Sequence, residues 1–263
     1  MSETLSQNAL KNYLRLANKK HREAQGKFIA EGARLCEEAL ASGWNVECIF
    51  VCKALLEAPR AKAVVESAAQ RELPTHELDK TTFQRLAQTQ HAQGVAAIVH
   101  GRVAEGDPFE LIRQAPRCLW VAIDRLHDPG NLGTIMRTAE WLGVDGLLLG
   151  KDCVEVFNPK VVRASMGAVF HLVAHHVPDL ADLLLRAQQF GCVTYAADTA
   201  GDFPYTTLRY VNKRVLLLGD EIGGLSEAML SVAQHRVSIP RRGHGESLNV
   251  AIAAAILLAE MVR

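Results

Sequence analysis

The 263-residue chain predicts an α/β protein, a mostly parallel sheet with helices on both faces, preceded by a smaller α/β domain. Three observations predict it. Beyond residue 117, apolar runs of strand length alternate with segments of helical periodicity, the pattern of strand–helix–strand units. Three of those runs end in polar loops rich in glycine or charge, as strands of α/β proteins do at their carboxyl ends. The N-terminal third has its own helix–strand alternation. It is set apart by Gly101, Gly106, Pro108 and Pro116 among mixed charges, a linker composition. The expected domains are 1–100 and 117–263, joined by a linker at 101–116.

The elements follow in order. Leu5, Leu10, Leu14 and Leu16 mark a short helix, Phe28 and Ile29 start a strand, and Glu31 to Ser42 repeat as an amphipathic helix. Asn45 to Val51 reads as a strand, Lys53 to Gln70 as helical, Thr81 to Ala87 as a helix and Gly94 to His100 as a strand. After the linker, strands are expected at 118–123, 145–149, 192–197, 214–218 and 236–239, with helices at 132–142, 158–168, 179–190, 226–234 and 247–262. The last helix, Val250 to Leu258, is apolar almost all round. It therefore needs cover on more than one side, from the sheet and from a second subunit.

Composition excludes several classes. Hydrophobic residues make up 49% and charged residues 22%, as in ordinary globular proteins. The longest apolar run, Val250 to Leu258, is too short to span a bilayer, and the polar start Met1-Ser2-Glu3-Thr4 is followed by no signal-peptide core. A cytoplasmic, membrane-free protein is expected. Six cysteines form no CxxC pair and read as buried or reduced thiols; His171, His175 and His176 have no metalloprotease spacing, so no metal site is expected. Net charge is zero, which alone argues against a nucleic-acid partner. The distribution argues for one: Lys11, Arg15, Lys19, Lys20, His21, Arg22 and Lys27 crowd the first 30 residues, opposed by Glu3 and Glu23. Such an element can track phosphates, with Lys19, Lys20, Arg22 and Lys27 as the RNA-binding candidates.

The three loops carry the chemistry. The first, Asp124 to Arg137, turns at Pro129-Gly130, has Asn131 placed to cap the next helix, and puts the guanidinium fork of Arg137 just beyond. The second, Gly219 to Ser226, sets three glycines around carboxylates directly after a buried strand, without dinucleotide-binding spacing. The third, Arg241 to Asn249, ends in Ser247 or Asn249 as a cap, leaving helix N–H groups open to a ligand.

Taken together, DPGNLGTIMRTAEWLG, GDEIGGLS and IPRRGHGESLNVAIAAAILL, with FNPKVVRASMGAVFHL between the first two, resemble the SpoU/TrmH family of RNA ribose 2′-O-methyltransferases over residues 118–263. KKHREAQGKFIAEGARLCEEAL resembles the L30e-like substrate-binding domain of members that modify ribosomal RNA. Asp220, Ile222 and Arg241 depart from the family pattern, which usually has asparagine, glycine and methionine at these positions. The resemblance implies a SPOUT-type parallel sheet with a C-terminal trefoil knot and a homodimer. It implies S-adenosylmethionine as cofactor, held around Gly219, Glu221, Gly224, Ile239 and Leu248. Arg137 matches the family's catalytic arginine, and Asn131, Glu221, Ser247 and Asn249 are assigned to holding the loops and the RNA. A guanidinium is a very poor base, so Arg137 is read as partner of the neighbouring phosphate and the developing alkoxide. The implied activity is methylation of a ribose 2′-hydroxyl in 23S, large-subunit ribosomal RNA. A transfer RNA methyltransferase and a non-catalytic RNA-binding paralogue stay open.

Overall fold

A computed structural model describes residues 5–263 except Gln88, Gln90, Val103 and Ile222. The departure at Ile222 therefore lies outside the described residues. The chain forms two compact units: 5–102 with Phe157–His171, and 104–156 with Leu172–Arg263.

The first unit has helices α1 (Gln7–Leu14) and α2 (Lys19–Gln25), strand β1 (Lys27–Glu31), α3 (Ala33–Ala41), β2 (Val46–Val51), α4 (Pro59–Gln70), β3 (Thr75–Glu77), α5 (Lys80–Ala87) and β4 (Val95–His100). The sheet order is β1-β4-β2-β3; β4 runs antiparallel to both neighbours and β3 parallel to β2. Side chains alternate across it. Ile29, Cys48, Phe50 and Ile98 join Leu16, Phe83 and Leu86 on one face, while the buried Ala33, Cys36, Ala39 and Val64 of α3 and α4 belong to the other layer. The helix Pro159–Ala164 and the turn after it also pack here, although the expected boundary gives them to the C-terminal domain. Phe157 stacks on Phe28 at 4.7 Å, and Phe170 meets Trp44 edge-on at 5.4 Å. Apolar rings from between the first and second loops thus complete the core of the N-terminal unit, a long-range pairing that leaves no local pattern.

The second unit begins with α6 (Pro108–Gln114), which corrects the expected linker at 101–116. Asp107 accepts from Phe109 N at 2.9 Å, Pro108 opens the helix, and Phe109 and Ile112 are buried. Glycine and proline flanking so short a helix mask its signal. There follow β5 (Cys118–Ile123), α7 (Pro129–Trp141), β6 (Gly146–Leu149), α8 (the Pro159–Ala164 helix of the first unit), β7 (Ala174–His176), α9 (Leu180–Gln188), β8 (Val193–Ala197), β9 (Phe203–Pro204), β10 (Lys213–Leu218), α10 (Glu227–Val232), β11 (His235–Ser238) and α11 (Val250–Met261). The seven strands lie in the order β7-β6-β5-β10-β8-β11-β9, every pair parallel. Both faces are covered, so β5 reads as a continuous apolar run and β10 as one from Val215 onward. Trp120, Ala122, Val215 and Leu217 pack with α6, α9 and α10, while α11 lies along α7 and over β8 and β10. Arg214 is buried there and donates to Met261 O at 2.6 Å, closing the end of α11.

All six cysteines are free, five of them buried. No helix among the described residues is long and apolar enough to cross a membrane.

Candidate functional site

The site lies where β5, β10 and β11 end. Leu218 O accepts from Asp124 N at 2.8 Å, holding the first two loops side by side. Asp124 is buried, and its carboxylate accepts from Ser226 N at 2.8 Å, so one acid ties the start of the first loop to the end of the second. Arg125 follows with a left-handed backbone, φ 57°, its Nε 3.6 Å from Asp124 Oδ2.

Asp128, not Asn131, caps α7: its Oδ1 accepts from Asn131 N at 2.8 Å. This corrects the expected cap and has a consequence. Released from capping, the Asn131 side chain faces the other loops. Its Nδ2 donates to Glu221 Oε1, and its Oδ1 accepts from Asn249 Nδ2 at 2.9 Å. Asn249 in turn caps α11, accepting from Ala251 N and Ile252 N at 2.9 and 3.3 Å. One amide therefore joins all three loops. Burial, and then the Asp220 and Asp128 carboxylates nearby, push the Glu221 carboxyl above its ordinary range. Replacing Asp128 with alanine is expected to cost about 1 kcal/mol by denaturant unfolding, the usual worth of such a cap.

The second loop is closed by paired backbone bonds between Asp220 and Gly224, at 3.0 and 3.2 Å. Gly219 lies under this closure: a Cβ there would come within 2.2 Å of the Gly224 carbonyl carbon. Gly224 takes φ 61°. The third loop is exposed from Arg241 to Asn249, and Leu248 is 49% exposed. Ile239 is half-buried at its base. Ser247 lies in the same loop and makes no side-chain hydrogen bond to a described residue. Arg137 projects from the exposed side of α7, as does Trp141, and its guanidinium pairs with no described residue.

The structure thus brings Asn131, Glu221 and Asn249 into contact and leaves Ser247 and Arg137 outside that network. Asp124 and Asp128 are the residues missed from sequence. An acid closing a strand, and another just before Pro129, were the available signals.

The basic N-terminal residues divide. Lys11, Arg15, Lys19 and Lys20 are exposed. Arg22 is not: its Nη1 donates to Leu16 O and Ala17 O at 2.6 and 2.8 Å, which turns the side chain inward and corrects its expected RNA role. Lys27 pairs with Glu47, which also accepts from the Tyr13 hydroxyl at 2.7 Å.

A parallel α/β domain with its polar residues gathered at the strand carboxyl ends, carried with a small mixed-sheet domain, defines the class. Residues 118–259 match the SpoU rRNA Methylase family and residues 7–97 the MRM3-like substrate binding domain. The chain belongs to the SpoU rRNA methylase family. It is 31% identical to a Bacillus subtilis protein named 23S rRNA (guanosine(2553)-2′-O)-methyltransferase, over 97% of this chain and 96% of that one. It is 29% identical to a Streptomyces viridochromogenes 23S rRNA (uridine(2479)-2′-O)-methyltransferase, over 94% and 86%. An AdoMet-bound rRNA methyltransferase structure from Sinorhizobium meliloti superposes with a TM-score of 0.82 at 31% identity, covering 98% of this chain and 95% of that one.

Proposed function

We propose that the protein transfers the methyl group of S-adenosylmethionine to a ribose 2′-hydroxyl of 23S, large-subunit ribosomal RNA, in the cytoplasm. The carrying observation is the Asn131 node, which binds three loops at the strand ends into one assembly in a chain whose full-length relatives are named for this reaction. The MRM3-like domain supports a ribosomal over a transfer RNA substrate.

The residues present suit the cofactor. The closed turn at Asp220–Gly224 keeps its own backbone groups in fixed positions. Gly243 and Gly245 have open space around them, and Leu248 offers apolar surface. Backbone groups around Gly219, Glu221, Gly224, Ile239 and Leu248 would hold the adenosine. When bound, S-adenosylmethionine supplies an activated methyl. The chain then has to align the acceptor and manage one proton. Arg137 binds the phosphate beside the acceptor ribose and stabilises the oxygen as it loses its proton to phosphate or water. Asn131, Glu221 and Asn249 hold the loops against α7, and Ser247 contacts the RNA. Lys19 and Lys20 track its backbone.

We read the C-terminal segment as a trefoil knot. It is supported by the path of the chain, which leaves β11 near one edge and returns past the β10 loop to lie along α7. We read the protein as a homodimer through α7 and α11. On α11, Ile252 is 51% exposed and Ala259 is also uncovered, on a helix with no charge before Glu260. Asn131 and Arg137 lie about 9 Å apart along α7, a span that a site shared between two protomers accommodates. Ile252→Lys is expected to give a monomer by sedimentation velocity, where the parent chain sediments as a dimer; a monomeric parent contradicts the reading.

The functional test is a map of 2′-O-methyl groups in ribosomal and transfer RNA from cells with and without the gene. One large-subunit position should lose its methyl. Loss only in transfer RNA, or at no position, overturns the proposal.

A further inference from the structure

A cleft of about 380 Å³ opens in the first unit, lined by none of the residues of the three loops. That is within the range of small-ligand sites. Glu31, at the end of β1, lies at its base, with Gly32, Thr89 and Arg163 beside it and Arg34 and His91 at the rim. The Glu31 side chain is more than nine-tenths buried. The Thr89 hydroxyl donates to Oε1, but among the described residues the buried Oε2 has no hydrogen-bond donor. Its nearest cation, Arg163 Nη1, stands at 3.6 Å, too far to donate. A buried carboxylate oxygen left in this state is costly, and burial pushes the Glu31 carboxyl up.

The surroundings are built rather than incidental. Gln93 Oε1 accepts from Ala33 N at 2.9 Å and covers Gly32, whose φ is 93°. Met166 holds a left-handed backbone, φ 52°, and its carbonyl accepts from Arg34 Nε at 2.9 Å. The cleft therefore combines an under-used buried acceptor with the guanidinium groups of Arg34 and Arg163.

We propose that this cleft takes an unpaired guanine nucleotide of the RNA substrate. Guanine presents two adjacent N–H donors, N1 and N2, on one edge, a match for the two oxygens of a carboxylate; adenine and cytosine have a ring acceptor on that edge, and uracil has a single N–H between carbonyls. Unstacked bases in loops are the usual targets of sequence-specific RNA recognition. Arg34 and Arg163 are placed for the phosphate. The inference rests on RNA being the substrate, and it assigns the N-terminal unit a base contact separate from the methyl-transfer site.

The test is equilibrium binding of labelled single strands to the full chain, without cofactor: oligouridine, the same strand with one central guanosine, and the same strand with inosine, which lacks the N2 donor. Guanosine should bind about tenfold or more tightly than either. Glu31→Gln should remove the preference and leave S-adenosylmethionine affinity unchanged. Free 5′-GMP forms the second arm: weaker binding than the guanosine strand assigns the cleft to RNA, and equal binding overturns that assignment in favour of a free nucleotide. Equal affinity for the three strands overturns the proposal without recourse to any variant. A chain that methylates ribosomal RNA but shows no guanosine preference refutes the cleft alone. One that binds no cofactor refutes the functional reading, and the strand comparison still reports on the cleft.

Discussion

Arg137→Ala is expected to lower kcat by about 10²- to 10³-fold, the cost of removing one preorganised donor from a developing oxyanion, with S-adenosylmethionine affinity within about threefold of the parent. The residue lies outside the Asn131–Glu221–Asn249 network and pairs with no described residue, so its removal leaves the three-loop assembly standing. Arg137→Lys separates two explanations. A lysine keeps the charge but loses the planar fork that matches phosphate, so it should recover only a small part of the rate. Full recovery would show that charge alone suffices. Equal loss of kcat and cofactor affinity in Arg137→Ala would place the residue in the cofactor pocket instead.

Gly219→Ala is expected to weaken S-adenosylmethionine binding by about 10- to 100-fold, measured by calorimetry. The added Cβ would meet Gly224 C at 2.2 Å and Leu225 N at 2.3 Å, both backbone atoms of the closed turn. Backbone cannot swing aside as a side chain does, so the turn must open, at an overpacking cost of about 1–3 kcal/mol. Gly223 is the control. A Cβ there meets nothing within 4 Å, and Gly223→Ala should bind within about twofold of the parent. If Gly219→Ala binds as tightly as Gly223→Ala, the turn does not hold the cofactor.

What sequence discloses here follows from how local each signal is. The long strands were legible because both faces are buried: Cys118–Ile123 is apolar at every position, and so is most of Lys213–Leu218. Thr75–Glu77, Ala174–His176 and Phe203–Pro204 were not, since two or three residues at or near a sheet edge carry no periodicity. The helix at Pro108–Gln114 hid behind a linker's composition. Arg22 looked like its neighbours Lys19 and Lys20, and only the carbonyls of Leu16 and Ala17, turned toward it, set it apart. The same holds at the site. The three loops were recognisable as motifs, but Asn131 read as a cap because a cap is a local role. Its actual partners, Glu221 and Asn249, lie 90 and 118 residues away, a distance over which periodicity carries no information.

The most direct test is methyl transfer by the purified chain. Protein, S-adenosylmethionine carrying an isotopic methyl, and 23S ribosomal RNA are incubated together; one portion of the RNA is digested to nucleosides to identify the product, and another is kept intact to map the modified position. Label is expected on the ribose 2′-oxygen of a single nucleotide, abolished or nearly so by Arg137→Ala. Label on a base, label in transfer RNA alone, or no label with correctly folded, cofactor-bound protein would contradict that expectation.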